Sequence, residues 1–351
     1  MATLTRRDIM KGALATGAMG LFSPILGVSR ALAAETLTAT HFGGPYQVLS
    51  DVIAAPFAEA GLGEVTYNVE FSGAAIGKMQ TQKANPPFDV TMLSRSFAIR
   101  AQNAGLLATL DKADFPEVAS LVPDAMPAPG WGVSMVLDTF DLMVNTDIVK
   151  EPLTSWLDLW REDLAGTILL PAASNPGTVF FIANVARAIS GGTLDDAAIE
   201  EAFAKLAELK PAVRSFYADG TQATQLIGRG DIAVAPQFGI RIANQTRNEP
   251  QVVKVTPSEG IIAIPYDLCI PINSQKQDLA KTYINFTLTK PIQESLVTNL
   301  LATPVREDVE VDAATAPLVT TDFSKIWFAD EDYLATNQKA WLDRYTREIQ
   351  S

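Results

Sequence analysis

The chain has 351 residues, 48% hydrophobic and 19% charged, with 22 glycines and 21 prolines; that is length for two domains and composition for a globular core, and it argues against disorder, collagen or a coiled coil. One cysteine, Cys269, and one histidine, His41, exclude an intramolecular disulfide, a thiolate cluster and a multi-histidine metal site. The net charge of −13 makes nucleic acid and anionic membrane surfaces poor partners.

Residues 1–34 read as an export signal, set apart from the fold. Thr5-Arg6-Arg7-Asp8-Ile9-Met10-Lys11 precedes an uncharged stretch from Gly12 to Ser29, and Ala31-Leu32-Ala33-Ala34 supplies a small-x-small cleavage pattern. The paired arginines before an apolar run resemble a bacterial twin-arginine signal. A transmembrane anchor is the competing reading, but the run is broken by Gly17, Gly20, Pro24 and Gly27 and is short for a span. The expected location is therefore the periplasm.

Beyond this point short apolar runs alternate with helical patterns. Strands are predicted at 35–40, 65–71 and 88–93, with helices at 46–60 and 73–84 between them. This β-α-β-α-β order implies a parallel sheet covered by helices. In such sheets ligands sit beyond the carboxyl ends of the strands, which nominates His41, Tyr46, Arg95 and Ser96 on the strand-end loops. The theme repeats downstream. Strands are expected at 141–145, 166–170, 213–217, 232–236, 252–255 and 261–265. Helices are expected at 155–160, 177–190, 195–209, 221–228, 239–247, 276–287 and 291–300, before a polar, amphipathic region at 327–349. The fold class is α/β, with mostly parallel sheets flanked by helices.

Signatures of catalysis are scarce. The chain after residue 34 has no nucleophile elbow, no phosphate-cradling glycine loop and no zinc-binding H-E-x-x-H or C-x-x-C. His41 could serve as a general base; the alternative is a loop histidine bonded to a ligand or to the backbone. Cys269 lies in the apolar run Leu268-Cys269-Ile270 and reads as a buried small hydrophobe. No catalytic residue, cofactor or metal site is therefore assigned.

Four segments in order carry a family resemblance: Thr154-Ser155-Trp156-Leu157-Asp158-Leu159-Trp160 with Gly166-Thr167-Ile168-Leu169-Leu170; Gly228-Arg229-Gly230-Asp231-Ile232-Ala233-Val234; Ile284-Asn285-Phe286 to Pro291; and Thr303-Pro304. In these the chain resembles bacterial periplasmic solute-binding proteins of ATP-driven importers, in the branch of the spermidine/putrescine-binding proteins. The resemblance implies two α/β lobes of the type II arrangement with a ligand cleft between them. Lobe one is expected at 35–140 plus 263–303, and lobe two at 141–262 plus 304–351. Hinge closure would bury a small molecule for delivery to an inner-membrane permease, by a monomer and without turnover.

Family members that hold polyamines do so with acids and aromatic walls, and this sequence departs at the matching places. The loop after Leu170, with Asn175 and Thr178, contains no acid. Gln237 and Phe238 stand where a tryptophan is expected, a tryptophan position near residue 43 is glycine, and Arg95 replaces a small or aromatic residue. Tyr266 and Asp267 remain as an aromatic and acid pair. Arginine offers a planar fork to a carboxylate or phosphate. Arg95, with Arg241, therefore points to an amino-acid-like zwitterion or a carboxylate, a polyamine being the alternative. An exported enzyme using His41 is the further alternative. No two tyrosines are adjacent, which disfavours ferric ion.

Overall fold

The structure, a computed structural model, describes residues 35–123, 125–127 and 130–351. The predicted signal at 1–34 lies outside the described residues. The first half opens with strand β1 (Thr36–His41), paired in parallel with β2 (Glu64–Val69). Helical turns from Gly44 run into α1 (Ala55–Glu59), and α2 (Ser72–Thr81) follows β2. Strand β3 (Thr91–Ser94) passes directly into α3 (Arg95–Asn103).

Strand β4 (Val133–Asn145) is the spine of the molecule; all 13 of its residues are buried. The second half adds β5 (Ile168–Pro171), α4 (Gly177–Ser190), α5 (Asp196–Leu209), β6 (Val213–Tyr217), α6 (Gly220–Gly228), β7 (Val234–Phe238), α7 (Gly239–Asn248) and β8 (Val252–Val255). The chain then returns through β9 (Ile261–Cys269), α8 (Gln277–Leu288) and α9 (Lys290–Leu300). It ends with β10 (Ile326–Trp327) and α10 (Glu331–Tyr345).

The sheet order is β10-β9-β4-β7-β5-β6, with β3 on β9 and β8 on β4. Pairs β5–β6, β5–β7 and β9–β10 are parallel, as the alternation of strands and helices implies. The two long strands add antiparallel pairs that the alternation does not show: β4 with β9, β7 and β8, and β3 with β9. The reason is length. Predicted as stubs at 141–145 and 261–265, both strands extend well beyond them and cross from one half to the other.

β4 changes partners in mid-course. Val133–Thr139 pair with β9, and Phe140–Val144 pair with β7. Thr303 joins this crossing through reciprocal backbone bonds with Leu137, of 2.9 and 3.1 Å. The segment after Thr303 bonds to residues of the first half. Val305 O accepts from Val122 N, and the Arg306 guanidinium pairs with Glu117 and Asp308 and donates to Leu288 O. An arginine whose side chain is 7% exposed stays only where carboxylates meet its charge.

The T-S-W-L-D-L-W segment is structural. Ser155 Oγ accepts from Leu157 N, Asp158 Oδ2 accepts from Thr154 N and Ser155 N, and Trp156 is fully buried with its indole N–H on Gly260 O. A capping box and a core tryptophan thus fix the entry to β5.

Candidate binding cavity

The partner change in β4 places Asp138 and Thr139 where the halves meet. Asp138 Oδ1 accepts from its neighbour Thr139 N at 2.8 Å and from Ile240 N at 3.0 Å. Its Oδ2 accepts from the Tyr266 hydroxyl at 3.3 Å. Ile240 is in the first turn of α7, so the carboxylate meets the positive end of that helix. Gly239 makes the approach possible: a β-carbon there would collide with the Thr139 hydroxyl and the Asp141 carboxylate. Burial penalises the charge more than the two amide bonds favour it, and Asp141 adds like charge. Asp138 is pushed up to about 6.

Asp138 opens onto a cavity of about 380 Å³, within the roughly 300–1,000 Å³ usual for small-molecule sites. Two aromatic groups line it. Phe42 meets Tyr46 and Tyr266 edge-on, at 5.6 and 5.0 Å; Phe238 meets Phe180 edge-on at 6.2 Å. Helix α10 supplies Glu331, Leu334, Gln338 and Leu342 as a further wall. Three ionisable side chains besides the tyrosines reach the cavity: Asp138, Arg241 and Glu331. Arg241, one residue beyond the Asp138–Ile240 bond, makes no hydrogen bond or ion pair with any described residue. Burial raises Glu331 to about 7, against the lowering pull of Arg95. The Tyr46 hydroxyl, buried beside the Tyr266 hydroxyl, has no well-formed hydrogen bond among the described residues. A buried polar atom of this kind is a ready contact for a polar ligand.

Of the residues nominated from sequence, Tyr46, Ser96, Phe238, Arg241 and Tyr266 line this cavity. The other six do not, and each is occupied elsewhere. The fork of Arg95 is closed on Asp267, through Nε to Oδ2 at 3.1 Å and Nη2 to Oδ1 at 2.9 Å, and Ser134 bridges the pair. Both side chains are buried; Arg95 edges a second cavity, under Trp131 and beside the start of α10. Arg95 and Asp267 face each other rather than this cavity, and each neutralises the other.

His41 is likewise turned inward. It is 4% exposed, its Nδ1 accepts from Gly43 N at 2.8 Å, and burial lowers its pKa. That bond stabilises the turn at Gly43, whose φ of +73° favours glycine. Asn175 bridges Ala218 O and Gly177 N, Thr178 donates to Ala172 O at 2.6 Å, and Gln237 spans Gly220 O and Phe238 N. Loop amides and hydroxyls satisfy the backbone first. Cys269 is fully buried, and burial raises its thiol well above the ordinary value.

Sequence reasoning missed Asp138, Glu331 and the cavity phenylalanines other than Phe238. A signal for Asp138 existed: Asp138 and Asp141 are the only acids in the otherwise uncharged run 133–145. No helix among the described residues is long and apolar enough to cross a membrane.

Residues 53–321 match the family of bacterial extracellular solute-binding proteins. The chain belongs to this family. It is 27% identical over 244 residues to the spermidine/putrescine-binding periplasmic protein 1 of Haemophilus influenzae, covering 68% of this chain and 67% of that one. It is 26% identical over 321 residues to a Salmonella typhimurium periplasmic protein named for 2-aminoethylphosphonate binding, covering 87% and 88%. A crystal structure of an ABC transporter protein from Clostridium perfringens superimposes with a TM-score of 0.76 at 23% identity, over 89% of this chain and 99% of that one. The fold is the two-lobed type II fold of periplasmic binding proteins, and the branch is that of the spermidine/putrescine binders. The family member is the solute-binding component of an ABC importer, with a small-molecule ligand and a membrane permease as its partners. Its relatives are periplasmic binding proteins rather than enzymes.

Proposed function

We propose that this protein captures an amino-acid-like zwitterion or a carboxylate in the cavity at the β4 crossing and delivers it unchanged to its permease. One observation carries the reading: an arginine without an ion pair and a buried aspartate face the same, otherwise largely apolar cavity. Arg241 suits a ligand anion through charge-assisted bonds. Asp138 keeps acceptor capacity on Oδ2, which has one donor, for a ligand ammonium. A polycation would meet Asp138 but would leave Arg241 facing like charge.

The lobes are proposed at 35–140 plus 263–303 and at 141–262 plus the C-terminal region, with residues 304–311 kept in lobe one by Arg306. Closure at the Leu137–Phe140 crossing would bring the two aromatic groups onto the ligand, and binding energy would drive that motion rather than bond-making. Export through residues 1–34 by the twin-arginine route, the monomeric state and the absence of turnover belong to the same proposal. So do the ligand contacts of Tyr46, Ser96, Phe238, Arg241 and Tyr266.

A polyamine is the second reading, supported by Glu331 as a second acid on the cavity and by the name of the Haemophilus relative. Thermal shifts with amino acids, organic acids, putrescine and spermidine separate the two. Stabilisation by zwitterions or carboxylates supports the proposal. Stabilisation by polyamines alone refutes it.

A further inference from the structure

Resting on that reading, we infer that the ligand is a zwitterion with a bulky apolar body, aromatic or branched, rather than a small hydrophilic one. The charged groups that set its two poles, Asp138 and Arg241, both line this cavity. Asp138 bonds the amide of Ile240, and Arg241 is the next residue of the same helix. The cavity of about 380 Å³ then extends well past the poles.

The rest of its wall offers little to a polar body. Phe71, Phe97, Phe180, Ile264, Leu334 and Leu342 give it mostly apolar surface, with Ser72, Ser94, Ser96, Gln338 and Glu331 as the polar side chains there. Water filling that space would find too few hydrogen-bonding partners, so a ligand that displaces it with apolar surface gains affinity. Phe71 marks the mouth of the cavity. Its ring is 63% exposed although it is large and apolar, and it lies parallel to Phe42 at 6.4 Å between centroids. An exposed aromatic on a cavity rim is surface held ready to be covered.

Calorimetric titration of the mature protein with seven probes tests this: phenylalanine, leucine, tryptophan, glycine, 3-phenylpropionate, phenethylamine and putrescine. The expected order places phenylalanine first, about tenfold to a hundredfold tighter than glycine, from burial of one apolar side chain. Each single-pole phenyl compound should be weaker than phenylalanine. In Phe71→Ser, which removes no buried core group, affinity for phenylalanine should fall about tenfold while the heat-capacity change of binding becomes less negative. Glycine binding as tightly as phenylalanine overturns the apolar-body inference and leaves the zwitterion reading standing. Putrescine binding with no amino acid bound overturns both. Failure of phenylalanine, leucine and tryptophan alike to bind also overturns the inference.

Discussion

Asp138 is held where it costs stability, and Asp138→Asn exposes that cost. The carboxyl is raised from 3.8 to about 6 by burial. The folded state therefore binds the proton more tightly than the unfolded chain does. A group with a raised pKa contributes most below about 3.8, and its contribution falls as pH rises through about 6. A shift of about two units corresponds to roughly 3 kcal/mol held against folding above pH 6. Asparagine reproduces the bonds without the charge. Its carbonyl can accept from Thr139 N and Ile240 N, and its amide can donate to the Tyr266 oxygen. Thermal unfolding of the ligand-free variant at pH 8 should therefore give a melting temperature higher by up to about 5 °C, for an unfolding entropy of about 2 cal/mol/K per residue. The gain should vanish near pH 4. Affinity for an amine-bearing ligand should fall at least tenfold in the same variant, since a charge-assisted bond of about 1.5–3 kcal/mol is lost. A melting temperature that falls at pH 8, or a gain that persists in acid, would refute the reasoning.

Other variants divide binding from stability. Arg241→Gln should weaken an anionic or zwitterionic ligand about tenfold to a hundredfold by titration, with little change in melting temperature, because Arg241 has no ion pair to lose. Asp267→Ala should do the reverse, lowering stability by about 3–5 kcal/mol in denaturant unfolding as it removes the buried carboxylate that Arg95 and Ser134 hold. With wild-type protein, affinity for an amine-bearing ligand should be flat above pH 7 and decline below about 6 as Asp138 takes up a proton; affinity that rises in acid would contradict that role. His41→Ala should leave no activity to abolish and should change affinity by less than the Asp138 variant does, because its imidazole serves the Gly43 turn.

Local signals made most of the elements legible in the sequence. The predicted helix at 177–190 and strands at 213–217 and 252–255 coincide with α4, β6 and β8, where apolar spacing and flanking glycine or proline agree. Long-range pairing was less visible. β4 and β9 read as stubs because uniformly buried strands lack the alternation that marks a half-exposed one. The cavity was half legible for a related reason. Strand-end logic reached Tyr46 and Ser96, but it could not tell a charge facing a ligand from one facing another side chain. Arg95 and Asp267, 172 positions apart, neutralise each other, while Arg241, the third residue of α7, has no ion pair among the described residues. Nor could local pattern identify Glu331 as a wall residue, since α10 reaches the cavity from the far end of the chain.

The central claim is capture and release of an unaltered zwitterion. Native mass spectrometry of the protein purified from its producing cell, followed by recovery of whatever it carries, tests that most directly. A single small molecule bearing both an amine and an acid, bound one to one and recovered with its mass unchanged after prolonged incubation, is the predicted result. A polyamine in its place, or a recovered compound whose mass has changed, would contradict the account.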